Sequence, residues 1–189
     1  IFEPAGTNIQ KDTLIAFNVH GFLGFVEGLA KNTVQVSIQK PSKLYGSTSL
    51  QNVGKDNLDV FTSPNYQSLV DAPILYSEAD TASIQFPESN ILISVYSPNK
   101  TINATEIAEN IRPLLIAQRN YLGGKLPVKK YAFLIVLSSE LKGGSFGALE
   151  HTQSSFYYLP EGGIEQLGQT IRDVCAHEFF HIVTPLSVH

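Results

Sequence analysis

The sequence predicts an α+β fold, in which a β-rich domain precedes a domain that combines strands with two long helices. Up to about residue 76, short runs of β-branched and aromatic residues are broken by Gly, Pro, Asn and Lys. Beyond that point, residues 103–122 and 164–182 place apolar side chains at helical spacing. Hydrophobic residues make up 43% of the chain, enough for a packed core. We therefore predict two domains, residues 1–76 and 77–189.

The first domain reads almost entirely as strands. The runs "TLIAFNVHGF" and "NTVQVSIQ" carry β-branched and aromatic residues in rough alternation, which is typical of strands. The later run "FTSPNYQSLVDAPILY" contains Pro64 and Pro73, which predicts a connection with at most a short helical turn. His20 stands alone in an apolar β stretch, and this setting favours a structural histidine over a metal ligand.

The second domain begins with a predicted hairpin, "ASIQF" followed by "ILISVYS". Asn103, with Glu106 three residues later, is a helix N-cap signal, and Gly123-Gly124 marks the end of that helix. Pro113 lies inside the helix and should kink it.

Two further strands and a second helix complete the second domain. "YAFLIVLS" predicts a strand buried on both faces, and "FGALEHTQSSFYYL" predicts one more strand. A final helix is expected from Ile164 through Ile182, with Pro185 beyond its end. The predicted order is strand, strand, helix, strand, strand, helix.

Composition excludes several functions. The net charge is −4 and the Lys and Arg residues are scattered, which argues against a nucleic-acid partner. No run reaches the roughly 18 apolar residues of a membrane span. The single cysteine, Cys175, cannot form an internal disulfide and should be a buried, unreactive thiol. The chain starts at Ile1 and has no methionine, so we expect it to be part of a longer protein; its compartment stays open.

The last helix contains an H-E-x-x-H pattern, His177 to His181. Residues four apart share a helix face, so His177 and His181 can direct their imidazoles at one Zn²⁺ ion. Glu178 would not be a ligand but a general base that takes a proton from the attacking water. The alternative is a helix flank with two polar histidines and a solvated glutamate.

Catalytic zinc takes three protein ligands, and this pattern supplies two. His189 follows the second histidine by eight residues, but the glycine turn of the zinc class with a later histidine is missing and Pro185 intervenes. We expect the third ligand to be a glutamate on a later helix, beyond residue 189. Residues 1–189 alone should then bind zinc weakly or not at all.

A second motif, "GGSFGALEH", precedes the helix. In strand alternation Ala148 and Glu150 point one way, while Leu149 and His151 point the other. Gly147 leaves the backbone open to close approach by another chain. Glu150 could bind the ammonium of a substrate N-terminus while strand hydrogen bonds align the substrate. The alternative is an edge strand on which Glu150 discourages aggregation.

Taken together, "GALEH", "HEFFH" and the upstream "YQSLVDAPI" resemble the glycyl-aminopeptidase family of gluzincin zinc peptidases, whose members often carry a PDZ domain. The resemblance implies a β-rich N-terminal domain followed by the first lobe of a thermolysin-like catalytic domain. It also implies zinc as cofactor and a peptide substrate that loses a small N-terminal residue such as glycine.

The resemblance assigns a role to each motif position. The matched residues are the zinc ligands His177 and His181, the general base Glu178, the amine-binding Glu150, and the substrate-contacting backbone of Gly147 and Ala148. Ala148 stands where the family commonly has a second glycine, and its methyl would narrow the pocket.

Two other functions fit the same residues. One is a non-catalytic module that binds a peptide or carbohydrate and keeps a vestigial zinc motif. The other is a related endopeptidase, in which Glu150 would be idle. We also expect apolar residues near the end of the last helix, such as Ile182 and Val183, to favour self-association if they are left uncovered.

Overall fold

The computed structural model describes residues 7–141 and 146–184. The chain divides into two compact units, one ending at Ala79 and the other beginning at Asp80. Seven strands and a short helix make up the described part of the N-terminal unit: β1 (Asn8–Gln10), β2 (Leu14–Phe17), β3 (Val34–Gln39), β4 (Tyr45–Ser47), β5 (Gln51–Asn52), β6 (Leu58–Ser63), α1 (Tyr66–Val70) and β7 (Ile74–Ser77).

These strands form two antiparallel sheets with the orders β1-β2-β7-β4 and β3-β6-β5. Side chains from both sheets and from α1 share one core, including Phe61, Leu69 and Ile74. The β-rich character predicted for this part of the chain is confirmed.

The short helical turn predicted in this unit is α1, where Asn65 Oδ1 accepts a hydrogen bond from Ser68 N at 2.7 Å. Strand β7 was not predicted, because it has only four residues and directly follows Pro73. His20 is exposed in a 3₁₀ turn over Val19–Gly21, and its N–H donates to Asn18.

The second unit consists of one sheet and two helices. Its described elements are β8 (Thr81–Gln85), β9 (Asn90–Tyr96), α2 (Ala104–Tyr121), β10 (Lys130–Ser138), β11 (Gly147–His151), β12 (Ser154–Pro160) and α3 (Ile164–Phe180). The sheet order is β11-β12-β10-β9-β8. Strands β9, β10 and β12 run parallel, while β8 and β11 pair antiparallel at the two edges.

The central strand β10 is buried from Tyr131 to Leu137, which confirms the predicted two-faced burial. Alternate residues of β10, including Phe133 and Ile135, pack in one core with residues of both helices, such as Ile107 and Phe179. The hairpin predicted from "ASIQF" and "ILISVYS" is also confirmed as β8 and β9.

Helix α2 has the predicted boundaries. Asn103 and Glu106 form a capping box, in which each side chain accepts a hydrogen bond from the other's backbone N–H. The helix ends where Gly123 and Gly124 take φ values of 85° and 87°, a region that favours glycine. Pro113 lies within α2 as expected.

Two predictions in this unit were wrong in detail. "FGALEHTQSSFYYL" is not one strand but the hairpin β11–β12, turning at Thr152 and Gln153. The turn escaped prediction because it contains no Gly, Pro or Asn. Helix α3 ends at Phe180 instead of continuing through Ile182, and i→i+3 hydrogen bonds tighten the chain beyond it. Pro185 has no N–H to donate to the carbonyl of His181, so the i→i+4 ladder ends with the bond from Thr184 N to Phe180 O.

Candidate metal centre

The H-E-x-x-H residues occupy the last turn of α3 and the residue after it. The face of α3 that carries Ile171, Cys175 and Phe179 is fully buried in the core, and this burial fixes the rotation of the helix. His177 and His181 therefore lie on the flank of the helix away from this face, while Glu178 and Phe179 are buried. His177 is exposed, whereas His181 is half-buried.

The two histidine rings lie side by side. Their centroids are 4.9 Å apart and their planes meet at 83°. His181 Nδ1 lies 2.9 Å from the carbonyl oxygen of Thr184. A carbonyl oxygen only accepts, so Nδ1 carries the proton and Nε2 keeps a lone pair for a metal. Both imidazoles are thus close enough together to serve as ligands of one ion.

Glu178 is a buried acid, with 7% of its surface exposed. Its Oε2 atom is buried and accepts no hydrogen bond from the described residues. Burial raises the pKa of Glu178 and the charge of Glu150 raises it further, while His177, His181 and His151 lower it. A buried carboxylate oxygen with an open acceptor position fits a group that receives a proton from water.

Glu150 joins this group from the sheet. One carboxylate oxygen each of Glu150 and Glu178 and one ring nitrogen of His181 all lie within 4.8 Å of one another. The imidazole nitrogens of His177 and His181 are ligands that Zn²⁺ takes, so these two residues fit that ion, with the two carboxylates beside it. His177 lies beside His181 but is not in this group. Glu150 lies close to Glu178, although the two residues are far apart in the sequence.

The strand that presents Glu150 is an edge strand. Among the described residues β11 pairs only with β12, from Gly147 opposite Tyr158 to His151 opposite Ser154. Its other edge offers backbone N–H and C=O groups to an added strand. Gly147 and Ala148 are half-buried and Glu150 is exposed, so a chain laid along β11 would reach all three.

Sequence reasoning missed three residues that support the site. On β12, the Ser155 and Tyr157 hydroxyls form a hydrogen bond of 2.7 Å, and Ser155 is opposite Glu150. Gln118 Nε2 of α2 donates to the carbonyl oxygen of Ala176, the residue before His177, at 2.9 Å. No local pattern marks these residues. Only the pairing of β11 with β12 and the packing of α2 on α3 bring them near the motif.

Other polar candidates are buried in the core or lie outside the described residues. Cys175 is buried as predicted, and burial raises the pKa of its thiol to about 12, which makes it unreactive. His189, considered as a third ligand, lies outside the described residues, as do residues 142–145 of the glycine-rich motif. Within the described ranges, no helix has the length and apolar character needed to span a membrane.

Comparison with solved structures finds a protein with a similar fold. The chain is similar to an aminopeptidase N family protein from Idiomarina loihiensis, with a TM-score of 0.73 and 19% sequence identity. The match covers 90% of this chain but only 30% of that protein's chain.

Comparison with protein families gives a narrower match. Residues 3–78 match the Peptidase M61 N-terminal domain, a match that ends before the residues of the candidate centre. No curated protein matches the chain. The structural similarity concerns the fold, and the family match concerns residues 3–78, which resemble the N-terminal domain of a peptidase family.

Proposed function

We propose that this chain contributes the active site of a zinc-dependent aminopeptidase, which hydrolyses the peptide bond next to a free N-terminus. The observation that carries the proposal is the grouping of Glu150, Glu178 and His181 within 4.8 Å, beside the ring of His177. A general base, imidazole ligands and a carboxylate suited to an ammonium group are the parts this reaction needs. The peptidase relationship of the fold supports the same reading.

In this proposal His177 and His181 hold the zinc ion, and a third ligand comes from another part of the natural protein. The bound ion would polarise the scissile carbonyl and lower the pKa of a water molecule. The ring proton that His181 donates to Thr184 fixes its tautomer, and Gln118 holds the α3 backbone next to His177. The surrounding unit would be the first lobe of a thermolysin-like catalytic domain.

Glu178 accepts a proton from the attacking water and transfers it to the leaving amine. Its Oε2 has no competing donor among the described residues, so the proton acceptor is available. Glu150 binds the substrate ammonium by a charge-assisted hydrogen bond, and the free edge of β11 at Gly147 and Ala148 aligns the substrate backbone. The Ala148 methyl narrows the space beside the ammonium and favours a small first residue such as glycine.

Replacing Glu178 by Gln tests this division of roles. In the natural full-length protein Glu178→Gln should keep its zinc and lose about 10²–10⁴-fold in turnover, since the side chain moves a proton and does not bind metal. Metal analysis and steady-state kinetics on a glycyl dipeptide measure both quantities. Glu165→Gln, an exposed change in the first turn of α3, serves as the control.

Loss of zinc in proportion to activity would make Glu178 a ligand and contradict the assignment. A wild-type protein that binds zinc and peptide but hydrolyses nothing would instead be the non-catalytic module.

A further inference from the structure

A pair of buried hydroxyl groups lies on β12, the strand that pairs with the strand carrying Glu150. Ser155 Oγ and Tyr157 OH on β12 hydrogen bond at 2.7 Å, and the two residues are 0% and 1% exposed. Burial raises the pKa of Tyr157 well above its usual range, and the neighbouring Cys175 raises it further, so the phenol stays protonated. Both groups are therefore neutral hydroxyls with one proton each.

The strand register places this pair against the substrate-binding residues. In the β11–β12 ladder Ser155 is directly opposite Glu150, and Tyr157 is directly opposite Ala148. Opposite residues of an antiparallel pair share a face, with Cβ atoms about 4.5–5.5 Å apart. That face is turned toward α3, because Tyr157 and Ala148 pack in the same core as Cys175.

Two hydroxyls that share one hydrogen bond retain one further proton, and a buried donor needs an acceptor. If Tyr157 donates to Ser155, the Ser155 proton is free to point across the ladder to the carboxylate of Glu150. Both hydroxyl hydrogens turn about their C–O bonds, so the pair can adopt the order in which Tyr157 donates to Ser155 and Ser155 donates to Glu150. In that order the proton of Tyr157 leaves the proton of Ser155 available to the carboxylate.

The position of Glu150 depends on such local contacts, because β11 is an edge strand. Among the described residues it has only β12 as a strand neighbour, so the rest of the sheet does not fix its side chains. A donor from β12 would hold the carboxylate in one rotamer, ready for a cation.

We propose that the Tyr157–Ser155 hydroxyl pair positions Glu150 for the ammonium group of the substrate. The inference rests on the proposed function and assigns both residues a positioning role without contact with the substrate. It makes preference for a free N-terminus depend on two residues of β12 as well as on Glu150 itself.

Binding measurements on the natural full-length protein test this inference without turnover. In a Glu178→Gln background, calorimetry compares a glycyl dipeptide with its N-acetylated twin. Tyr157→Phe and Ser155→Ala should weaken binding of the free amine by roughly tenfold and leave the acetylated peptide unchanged. Ser155→Thr, which keeps the hydroxyl, should preserve binding and covers the case in which Tyr157→Phe fails to fold.

Tyr158→Phe is the matched control, because Tyr158 is the next residue of β12, is also largely buried, and faces the other side of the sheet. It should leave the ratio of the two affinities unchanged. If Tyr157→Phe and Ser155→Ala leave the ratio of the free-dipeptide and acetylated-dipeptide affinities unchanged, the positioning role is overturned and the role of Glu150 is not. An equal loss of affinity for the free dipeptide in Tyr158→Phe would have the same meaning. A wild-type protein that binds both peptides equally would overturn the role of Glu150, and the inference with it.

Discussion

The two acidic residues of the candidate centre differ in their surroundings. Glu178 is buried on the flank of α3, where burial raises its pKa, while Glu150 is exposed on the edge of the sheet. A buried carboxylate suits proton transfer, and an exposed one suits capture of a cation that arrives from solvent. The proposed roles of Glu178 as general base and Glu150 as amine binder rest on this difference in exposure.

Removing the Glu150 carboxylate should weaken the interaction with free N-termini. For Glu150→Ala we expect kcat/KM on a glycyl dipeptide to fall. The loss in transition-state stabilisation should be roughly 1.5–3 kcal/mol, the range for a hydrogen bond to a charged group. Steady-state kinetics measures the change, with Glu109→Ala on the exposed face of α2 as the control. Unchanged kinetics in Glu150→Ala would show that this carboxylate does not bind the substrate.

The proximity of the two motif histidines could be predicted from sequence because it depends on local spacing. His177 and His181 are one helical turn apart, so any helix brings their rings together, as the 4.9 Å centroid distance shows. The approach of Glu150 to Glu178 could not be predicted in this way. It depends on the turn at Thr152 and Gln153 and on packing of α3 against the sheet, which no local pattern encodes.

At the level of elements, the start of α2 is fixed by its capping box. Asn103 Oδ1 accepts from Glu106 N at 3.0 Å, and Glu106 Oε2 accepts from Asn103 N at 2.9 Å. Asn103→Ala should lower the free energy of unfolding by about 0.5–2 kcal/mol, measured by urea denaturation. Asn120→Ala, an exposed change in the last turn of α2, should change the free energy of unfolding by no more than about 0.5 kcal/mol. Equal effects at both positions would mean that the cap does not contribute.

The C-terminal end of α2 is tied to the β8–β9 hairpin by an ion pair. Arg119 Nε lies 2.7 Å from Glu88 Oε1 and its Nη2 lies 3.2 Å from Oε2, while Leu126 N donates to Oε1 at 3.0 Å. The hydrogen bond from Arg119, followed by that from Leu126, lowers the pKa of Glu88 from 4.5 to about 2. The folded state therefore favours the charged carboxylate.

This pair should give stability a defined pH dependence. Because the folded pKa is depressed, the contribution is fully present above pH 4.5 and is lost as the pH falls toward 2. Glu88→Gln should lower the free energy of unfolding at pH 7, and its difference from wild type should shrink by pH 3. Urea denaturation at pH 7 and at pH 3 measures this difference in the free energy of unfolding, with Glu109→Gln as control. A difference that is the same at pH 7 and pH 3 would contradict the ion pair.

Elements with strong signals at both ends could be predicted, and short or unmarked ones could not. Helix α2 has a capping box and terminal glycines, and the alternating hairpin β8–β9 is bounded by polar residues. Strand β7 is short, and the β11–β12 turn lacks turn residues, so tertiary pairing decides both. The early end of α3 reflects a proline effect that apolar periodicity does not register.

At the scale of the whole molecule, the chain consists of two units with separate cores. The N-terminal unit coincides closely with the matched Peptidase M61 N-terminal domain, while the second unit carries the candidate centre. The chain spans about 30% of the length of the similar Idiomarina loihiensis protein. The activity of a complete protein is therefore part of the proposal, and its tests use the natural protein.

The most direct test compares two substrates of the natural full-length protein loaded with zinc, a glycyl dipeptide and its N-acetylated twin. We expect the free dipeptide to be cleaved about 10- to 150-fold more efficiently, the equivalent of one charge-assisted hydrogen bond to Glu150, and a zinc chelator to abolish cleavage. Equal cleavage of both peptides would indicate an endopeptidase. Cleavage that persists after zinc removal would contradict the metal centre.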